Sequence, residues 1–439
     1  MNGVIFKSEE KMTYKEIYHY LHNVSSFGSI YGLERINKLL ELLNHPEENL
    51  NIIHTAGTNG KGSTNAFISS VLREQGYTVF SYISPSLDQY LDRFLINGQP
   101  IKKNIFELVM PKVIEIAKNI KQTSLGHPTI FEMEVACSYL LAQYFNADFM
   151  IQETGLGGRL DATNAISSPL ITVITSISKD HLNMLGDTLE KIAKEKAGII
   201  KYQRPVILYD NGELNSIFIN KAKELEAPLQ IVNFSNIQDT SNLTVTSFSY
   251  CNQNYNLGLH GTHQVKNGFV ALMTLFQLRK EGYSIDDNAI LKGFKSVIWK
   301  GRFEKIMDNP IVYLDGAHNE DSISILLNNL NNRHKEAYHI FIVHIYADKD
   351  VSSILKQLSS FPNEIICTSI YNERSLSAKN LYSLAKKFIP INKIFLELSL
   401  RGAIALSLQH AAIHKNTVIT ILGSLSHLEK SRKIIMEEK

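Results

Sequence analysis

Apolar and polar positions along this chain follow two periods. Short apolar runs bounded by turn residues read as buried strands, and between them apolar positions recur at helical spacing. In the first part of the chain the strand-like runs are residues 51–56, 78–82, 148–153, 170–175 and 205–209. Helices fall between them, at 65–72 and most clearly at 130–145 and 188–198. Such alternation predicts βαβ units and a mostly parallel sheet. Residues 243–259 are rich in Thr, Ser, Tyr and Asn and read as short antiparallel strands, with a helix near 264–281 after them. A fresh alternation begins near Pro310, with strands at 311–315, 339–344, 364–368, 393–397 and 417–422. The expected fold is α/β with two domains, residues 1–297 and a smaller 298–439, joined by a linker at 296–302. A cleft between two such domains is the expected place for a small-molecule site.

Composition agrees with this picture. At 439 residues the chain exceeds one ordinary domain. Hydrophobic content of 44% and charged content of 20% fit a globular protein with ample core. Lys and Arg number 45 against 43 Asp and Glu, a net charge of +2, so no broad basic footprint points to nucleic acid. Cys137, Cys251 and Cys367 stand far apart without CxxC spacing and read as reduced, mostly buried thiols. The first ten residues lack the apolar core of a signal peptide, and no window reaches the ~18 apolar residues of a spanning helix. The expectation is a cytoplasmic protein with no membrane partner.

Chemistry concentrates at strand ends. Gly57-Thr58-Asn59-Gly60-Lys61-Gly62-Ser63 lies between a strand and a helix. Its glycines let backbone N–H groups close on an anion, the helix start adds positive potential, and Lys61 supplies a point charge. The Ser63 hydroxyl is placed to reach a magnesium ion bridging phosphates. The spacing departs from GxxxxGK[ST]: the first gap is shorter, and Gly62 separates lysine from serine. Glu153, opening Glu153-Thr154-Gly155-Leu156-Gly157-Gly158-Arg159-Leu160-Asp161-Ala162-Thr163-Asn164, ends an apolar strand. It can hold magnesium directly or through water; the alternative is a solvated acid at a tight turn.

His181, in Ser176-Ile177-Ser178-Lys179-Asp180-His181, could be a metal ligand or simply a hydrogen-bonding loop residue. Glu195-Lys196-Ala197-Gly198 reads as a helix end with a favourable cation and a glycine cap, which by itself assigns Lys196 no chemistry. Arg302, at the hinge, could clamp phosphate or make an interdomain ion pair. Asp315 and His318 follow the first strand of the second domain.

On these residues the chain resembles the folylpolyglutamate synthase/dihydrofolate synthase family of the Mur-ligase superfamily. The likeness runs from Tyr31-Gly32-Leu33-Glu34-Arg35 to Leu422-Gly423-Ser424. It implies a P-loop-type ATPase domain with a mostly parallel sheet and a Rossmann-like C-terminal domain that binds glutamate. It places ATP phosphates on Thr58, Asn59, Gly60 and Lys61, with Gly62 and Ser63 completing the loop, and Asn267, Arg302 and Asp315 on the nucleotide. Magnesium, as two ions, falls to Ser63, Ser84, Glu153 and His181. Lys196 matches the lysine the family carries as a carbamate, and His318 is placed near the reacting phosphate or the glutamate. Lys61, Lys196 and His318 are thus the catalytic candidates. The folate would touch Ser29, Ile30, Tyr31, Thr129, Ile130, Phe131, Glu132, Leu160, Asp161 and Ala162. The implied activity is ATP-dependent addition of L-glutamate to folates, and to dihydropteroate, by a monomer.

Three positions depart from the family pattern: Ser86 for histidine, Glu320 for proline and Thr154 for valine. The first puts local substrate contacts in question. Glutamate suits a helix start as proline does, so Glu320 is expected to matter little. Two other readings compete: a cell-wall ligase acting on a UDP-linked peptide, disfavoured by Gly62, and a non-catalytic nucleotide-binding relative, supported by Ser86 alone.

Overall fold

The computed structural model describes residues 11–24, 32–86, 89–180, 182–242, 244–361, 363–370, 374–414 and 416–438. Ser29, Ile30, Tyr31 and His181 lie outside the described residues. The chain divides into two compact units. One comprises residues up to 177, 188–236 and 267–296; the other comprises 178–187, 237–266 and 297 onward.

The first unit is built on strands β1 (Ile52–Ala56), β2 (Val79–Tyr82), β3 (Phe94–Ile96), β4 (Gln99–Pro100), β5 (Phe149–Glu153), β6 (Ile171–Ile174), β7 (Val206–Tyr209) and β8 (Leu229–Val232). Their order is β4-β3-β2-β5-β1-β6-β7-β8. Strands β1, β2, β5, β6, β7 and β8 pair in parallel, while β3 and β4 add an antiparallel edge. Asn97-Gly98 makes that edge: both φ angles are positive, 49° and 76°, as a two-residue hairpin turn requires.

The fully buried strands explain their unbroken apolar reading, since helices cover the sheet. Ile52, Phe80, Tyr82 and Met150 share a core with side chains of helices Tyr14–Val24, Glu34–Leu42, Lys103–Lys121 and Ile130–Tyr144. Ile174, Val206 and Leu208 share another with helices Leu189–Ala197 and Asn215–Glu224. Helix Lys61–Glu74 is buried from Gly62 to Leu72 and packs on Asp287–Ser296 through Phe67 and Phe294. A Cβ on Gly293 would lie 2.6 Å from the Val71 Cα, so the glycine permits that approach.

The second unit holds an antiparallel sheet of β9 (Gln238–Asp239), β10 (Thr246–Tyr250) and β11 (Gln253–Leu257); β10 and β11 fall in the 243–259 stretch read as such from sequence, and β9 precedes it. Cys251 sits at the exposed β10–β11 turn, whereas Cys137 and Cys367 are buried. Strands β12 (Glu304–Asp308), β13 (Ile311–Leu314), β14 (Tyr338–Val343), β15 (Asn363–Cys367), β16 (Ile394–Leu396) and β17 (Thr417–Leu422) form a sheet ordered β12-β13-β17-β14-β15-β16. Only β12 is antiparallel, and it is the strand the sequence reading lacks. Alternate residues of β14 and β17 face two cores: Phe341, Val343, Val418 and Leu422 face one, Ile340, Ile342, Ile419 and Ile421 the other. Helices on both faces account for the α/β reading.

Candidate active site

In the first unit β1 lies between β5 and β6, and the chain leaves it in one direction toward β2 and passes it in the other from β5 to β6. That reversal makes the carboxyl edge around β1 the expected ligand crevice. Thr55 is in register with Glu153, and Tyr82 with Gln152, so the loop after β1, the end of β5 and Ser84 after β2 share one edge.

The loop from Gly57 is tied down by its neighbour strand. Thr58 N donates to Ser176 O at 2.8 Å, and Thr175 Oγ1 donates to Asn59 O at 2.8 Å. Gly60 is left-handed at φ +86° and precedes helix Lys61–Glu74. A Cβ there would lie 2.5 Å from Asn267 Oδ1, and one on Gly57 would lie 1.8 Å from Thr175 Oγ1. Gly57 is therefore required by space and Gly60 by its left-handed backbone, and Asn267 abuts the loop. Two lysines converge on one carbonyl: Lys61 Nζ donates to Gly57 O at 2.9 Å and Lys196 Nζ donates to it at 2.8 Å. Lys61 Nζ also lies 3.8 Å from Glu153 Oε1. Ser63 and Glu153 are buried, and Ser84 is half-buried. Hydroxyl and carboxylate oxygens of this kind suit magnesium.

Gly198 is the C-cap of helix Leu189–Ala197, as the sequence suggests, but with a right-handed φ of −63° that does not by itself call for glycine. Its role is space. A Cβ on Gly198 would lie 2.4 Å from Arg159 Cβ, and one on Gly158 would lie 2.7 Å from Glu195 O. The two glycines let the 155–161 loop lie directly on the helix end that carries Lys196, where Arg159 N donates to Glu195 O at 2.8 Å. Lys196 reaches the Gly57–Ser63 loop and is buried, which helix-dipole reasoning alone does not foresee.

Of the acceptor-binding candidates, Leu160, Asp161 and Ala162 belong to or adjoin the 155–161 loop and Phe131 touches it. Asp161 is buried and accepts from Leu156 N at 2.7 Å and Thr163 N at 3.0 Å, so its carboxylate shapes its own loop. Burial raises its pKa above the ordinary carboxylate range, against the pull of these hydrogen bonds. Ala162 is buried beside it and Leu160 half-buried. A Cβ on Gly155 would lie 2.6 Å from Phe131 Cζ, which places that ring on the loop. Thr129 caps helix Ile130–Tyr144 in a capping box with Glu132. Glu132 is also paired with Arg35 at 3.1 Å. Beside Ile130 and Phe131, Glu132 is therefore held by structural partners. Ser86 lies 3.5 Å from Arg93 Nη2, and Arg93 is ion-paired with buried Glu134.

The second unit gathers a separate group. Asp315 is buried, accepting from Phe303 N and Ala317 N at 2.7 Å each. Burial raises its pKa, and the Arg302 guanidinium opposes the shift. His318 Nδ1 lies 2.7 Å from Gly316 O, so that nitrogen carries the proton. Its Nε2 lies 3.5 Å from Asp180 Oδ2. Asp180 also pairs with Lys349 at 2.7 Å and accepts from Asn319 Nδ2 at 3.4 Å. Asn319 caps helix Glu320–His334, whose first residue is the Glu320 noted above.

Lys349 and His54 are absent from the sequence reading. Lys349 had a signal, the polar Tyr346-Ala347-Asp348-Lys349-Asp350 following a strand; His54, inside an apolar strand, had only its polarity.

Two family models match the chain: the Mur ligase middle domain over residues 55–275 and the Mur ligase glutamate ligase domain over residues 301–425. The fold and site are thus those of an ATP-dependent ligase of the Mur type. The chain is 36% identical over 383 residues to the dihydrofolate synthase/folylpolyglutamate synthase of Bacillus subtilis, covering 85% of this chain and 89% of that one. Escherichia coli FolC in complex with DHPP and ADP superposes with a TM-score of 0.86 at 26% identity, over 98% of this chain and 100% of that one. A bifunctional folylpolyglutamate synthase/dihydrofolate synthase with Mn, AMPPNP and L-glutamate bound gives 0.83 at 25% identity, over 97% and 100%. The chain belongs to the dihydrofolate synthase/folylpolyglutamate synthase family.

Proposed function

We propose that this chain joins L-glutamate to folates, and to dihydropteroate, at the expense of ATP through an acyl phosphate. The convergence of Lys61, Lys196 and Glu153 on a spatially constrained phosphate loop carries the reading, in a chain whose relatives are folate synthases. The residues present fit a magnesium nucleotide: a side chain is opposed by space at Gly57 and by the left-handed backbone at Gly60, and the nearby oxygen donors are hard. Thr58, Asn59, Gly60, Lys61, Gly62 and Ser63 hold the phosphates, and Asn267, Arg302 and Asp315 serve the nucleotide. Ser63, Ser84, Glu153 and His181 hold two magnesium ions. Bound metal would neutralise charge on the phosphates. Residues 1–297 carry ATP and folate, and 298–439 carry glutamate.

The acceptor carboxylate attacks the γ-phosphorus, releasing ADP, and the glutamate amine then displaces phosphate to form the amide. A free carboxylate acylates poorly, so phosphorylation supplies the leaving group. Lys61 and Arg302 offset the charge that develops, and positioning supplies much of the remaining rate. His318, with its proton on Nδ1, presents Nε2 beside the reacting phosphate or the glutamate. Ser29, Ile30, Tyr31, Thr129, Ile130, Phe131, Glu132, Leu160, Asp161 and Ala162 contact the folate. Lys196 as a carbamate would exchange its cation for an anion able to ligate metal. Action in the cytoplasm, as a monomer without membrane or nucleic-acid partners, completes the reading; the near-balanced charge supports the last point.

The test is ADP release with glutamate plus dihydropteroate, compared with glutamate plus tetrahydrofolate. Release that needs both glutamate and a folate is expected. Silence with every folate, or release driven by a UDP-linked peptide instead, would overturn the proposal.

A further inference from the structure

A short relay of hydrogen bonds links the strand that feeds the phosphate loop to the loop assigned to the acceptor. His54, fully buried in β1, has Nε2 2.9 Å from Thr163 Oγ1. Thr163 Oγ1 in turn donates to Asp161 Oδ1 at 2.5 Å. The other oxygen of Asp161 accepts from Leu156 N at 2.7 Å. The direction of the relay follows from its end. An ionised carboxylate only accepts, so Thr163 spends its one proton on Asp161 and must accept from His54. His54 is then the tautomer with its proton on Nε2, and its buried Nδ1 has no hydrogen-bond partner among the described residues. Burial, aided by the Lys201 charge, pushes its pKa down to about 3, so it stays a neutral donor at working pH.

We infer that His54 is a positioning residue for the acceptor: through Thr163 it sets the orientation of Asp161, and through Asp161 the 155–161 loop that receives the pteridine-type ring. It moves no proton in the reaction. The inference rests on the folate-ligase reading of that loop. A histidine inside an apolar strand is costly to bury with one nitrogen unpaired, and a purely structural requirement would be met better by leucine or valine. The relay joins the strand that enters one loop to the other loop, and these two loops must be aligned for a carboxylate to approach a phosphate.

His54→Leu removes the donor, His54→Gln retains an N–H at the Nε2 position, and Thr163→Val breaks the relay from its other side. For His54→Leu and Thr163→Val, the acceptor KM in the ADP-release assay is expected to rise about tenfold, the scale of one buried hydrogen bond. The KM for ATP and for glutamate should stay within about twofold, and His54→Gln should recover most of the loss. Amide hydrogen exchange over residues 155–165 should quicken in the first two variants and not in the third. Exchange is read without turnover, so it tests the relay even in a protein that shows no folate activity, an outcome that would count against the proposed function instead. An unchanged acceptor KM with unchanged exchange, or equal rises in all three KM values, would overturn the inference.

Discussion

At Gly57 a Cβ would meet Thr175 Oγ1 at 1.8 Å, and at Gly60 it would meet Asn267 Oδ1 at 2.5 Å, where φ is +86°. Left-handed backbone alone costs an alanine about 1 kcal/mol, and the clashes add to it. Gly57→Ala is therefore expected to weaken ADP binding by about tenfold or more in calorimetric titration. Unaltered affinity would mean the loop yields freely. Histidines make a second residue-scale prediction. Burial pushes His54 down to about 3 and His339 and His344 to about 4. The unfolded chain takes up protons near pH 6.5, where these folded sites do not, so stability is full above that pH and falls as pH drops toward 4. Each such histidine costs about 2 kcal/mol at pH 5 relative to pH 7. Urea midpoints measured across that range should decline, and His344→Gln should flatten the decline. Buried Asp161 and Asp315, with raised pKa values, act in the opposite sense.

Among elements, helix Leu189–Ala197 and the 155–161 loop depend on each other. Gly198→Ala would force Arg159 away, since its Cβ would lie 2.6 Å from the Arg159 Cα. A fall in Tm of several degrees is expected, together with a higher acceptor KM, because a backbone clash at a close-packed contact costs about 1–3 kcal/mol. Arg159→Ala removes only a largely exposed ion pair with Glu195 at 3.0 Å and should cost under about 1 kcal/mol. Equal losses in the two variants would contradict this division. Elements of this kind were largely legible beforehand. Buried parallel strands announce themselves as unbroken apolar runs, and β1, β5 and β17 lie where those runs do. Edge strands do not: β4 is a two-residue strand with both residues exposed, and β12 alternates weakly. Only the Asn97-Gly98 turn could have revealed the first.

For the whole molecule, the prediction is that EDTA abolishes ADP release and that magnesium or manganese restores it, monitored with both folate and glutamate present. Release surviving chelation would remove the metal role from Ser63 and Glu153. Among the described residues no helix is long and apolar enough to cross a membrane. The sequence by itself determined most of the two α/β sheets, the glycine-rich loop after β1 and the carboxylate ending β5, because periodicity and strand-end motifs are local properties of the chain. Only tertiary structure decided that Lys196 reaches Gly57, that Gly198 is a spacer, that Asp180 pairs with Lys349, and that His54 meets Thr163. Those pairs are separated by 139, 169 and 109 positions for Lys196, Asp180 and His54 respectively. A hydrogen bond needs partners within about 3 Å in space, and spacing along a chain says nothing of that until the sheet order brings strand ends together.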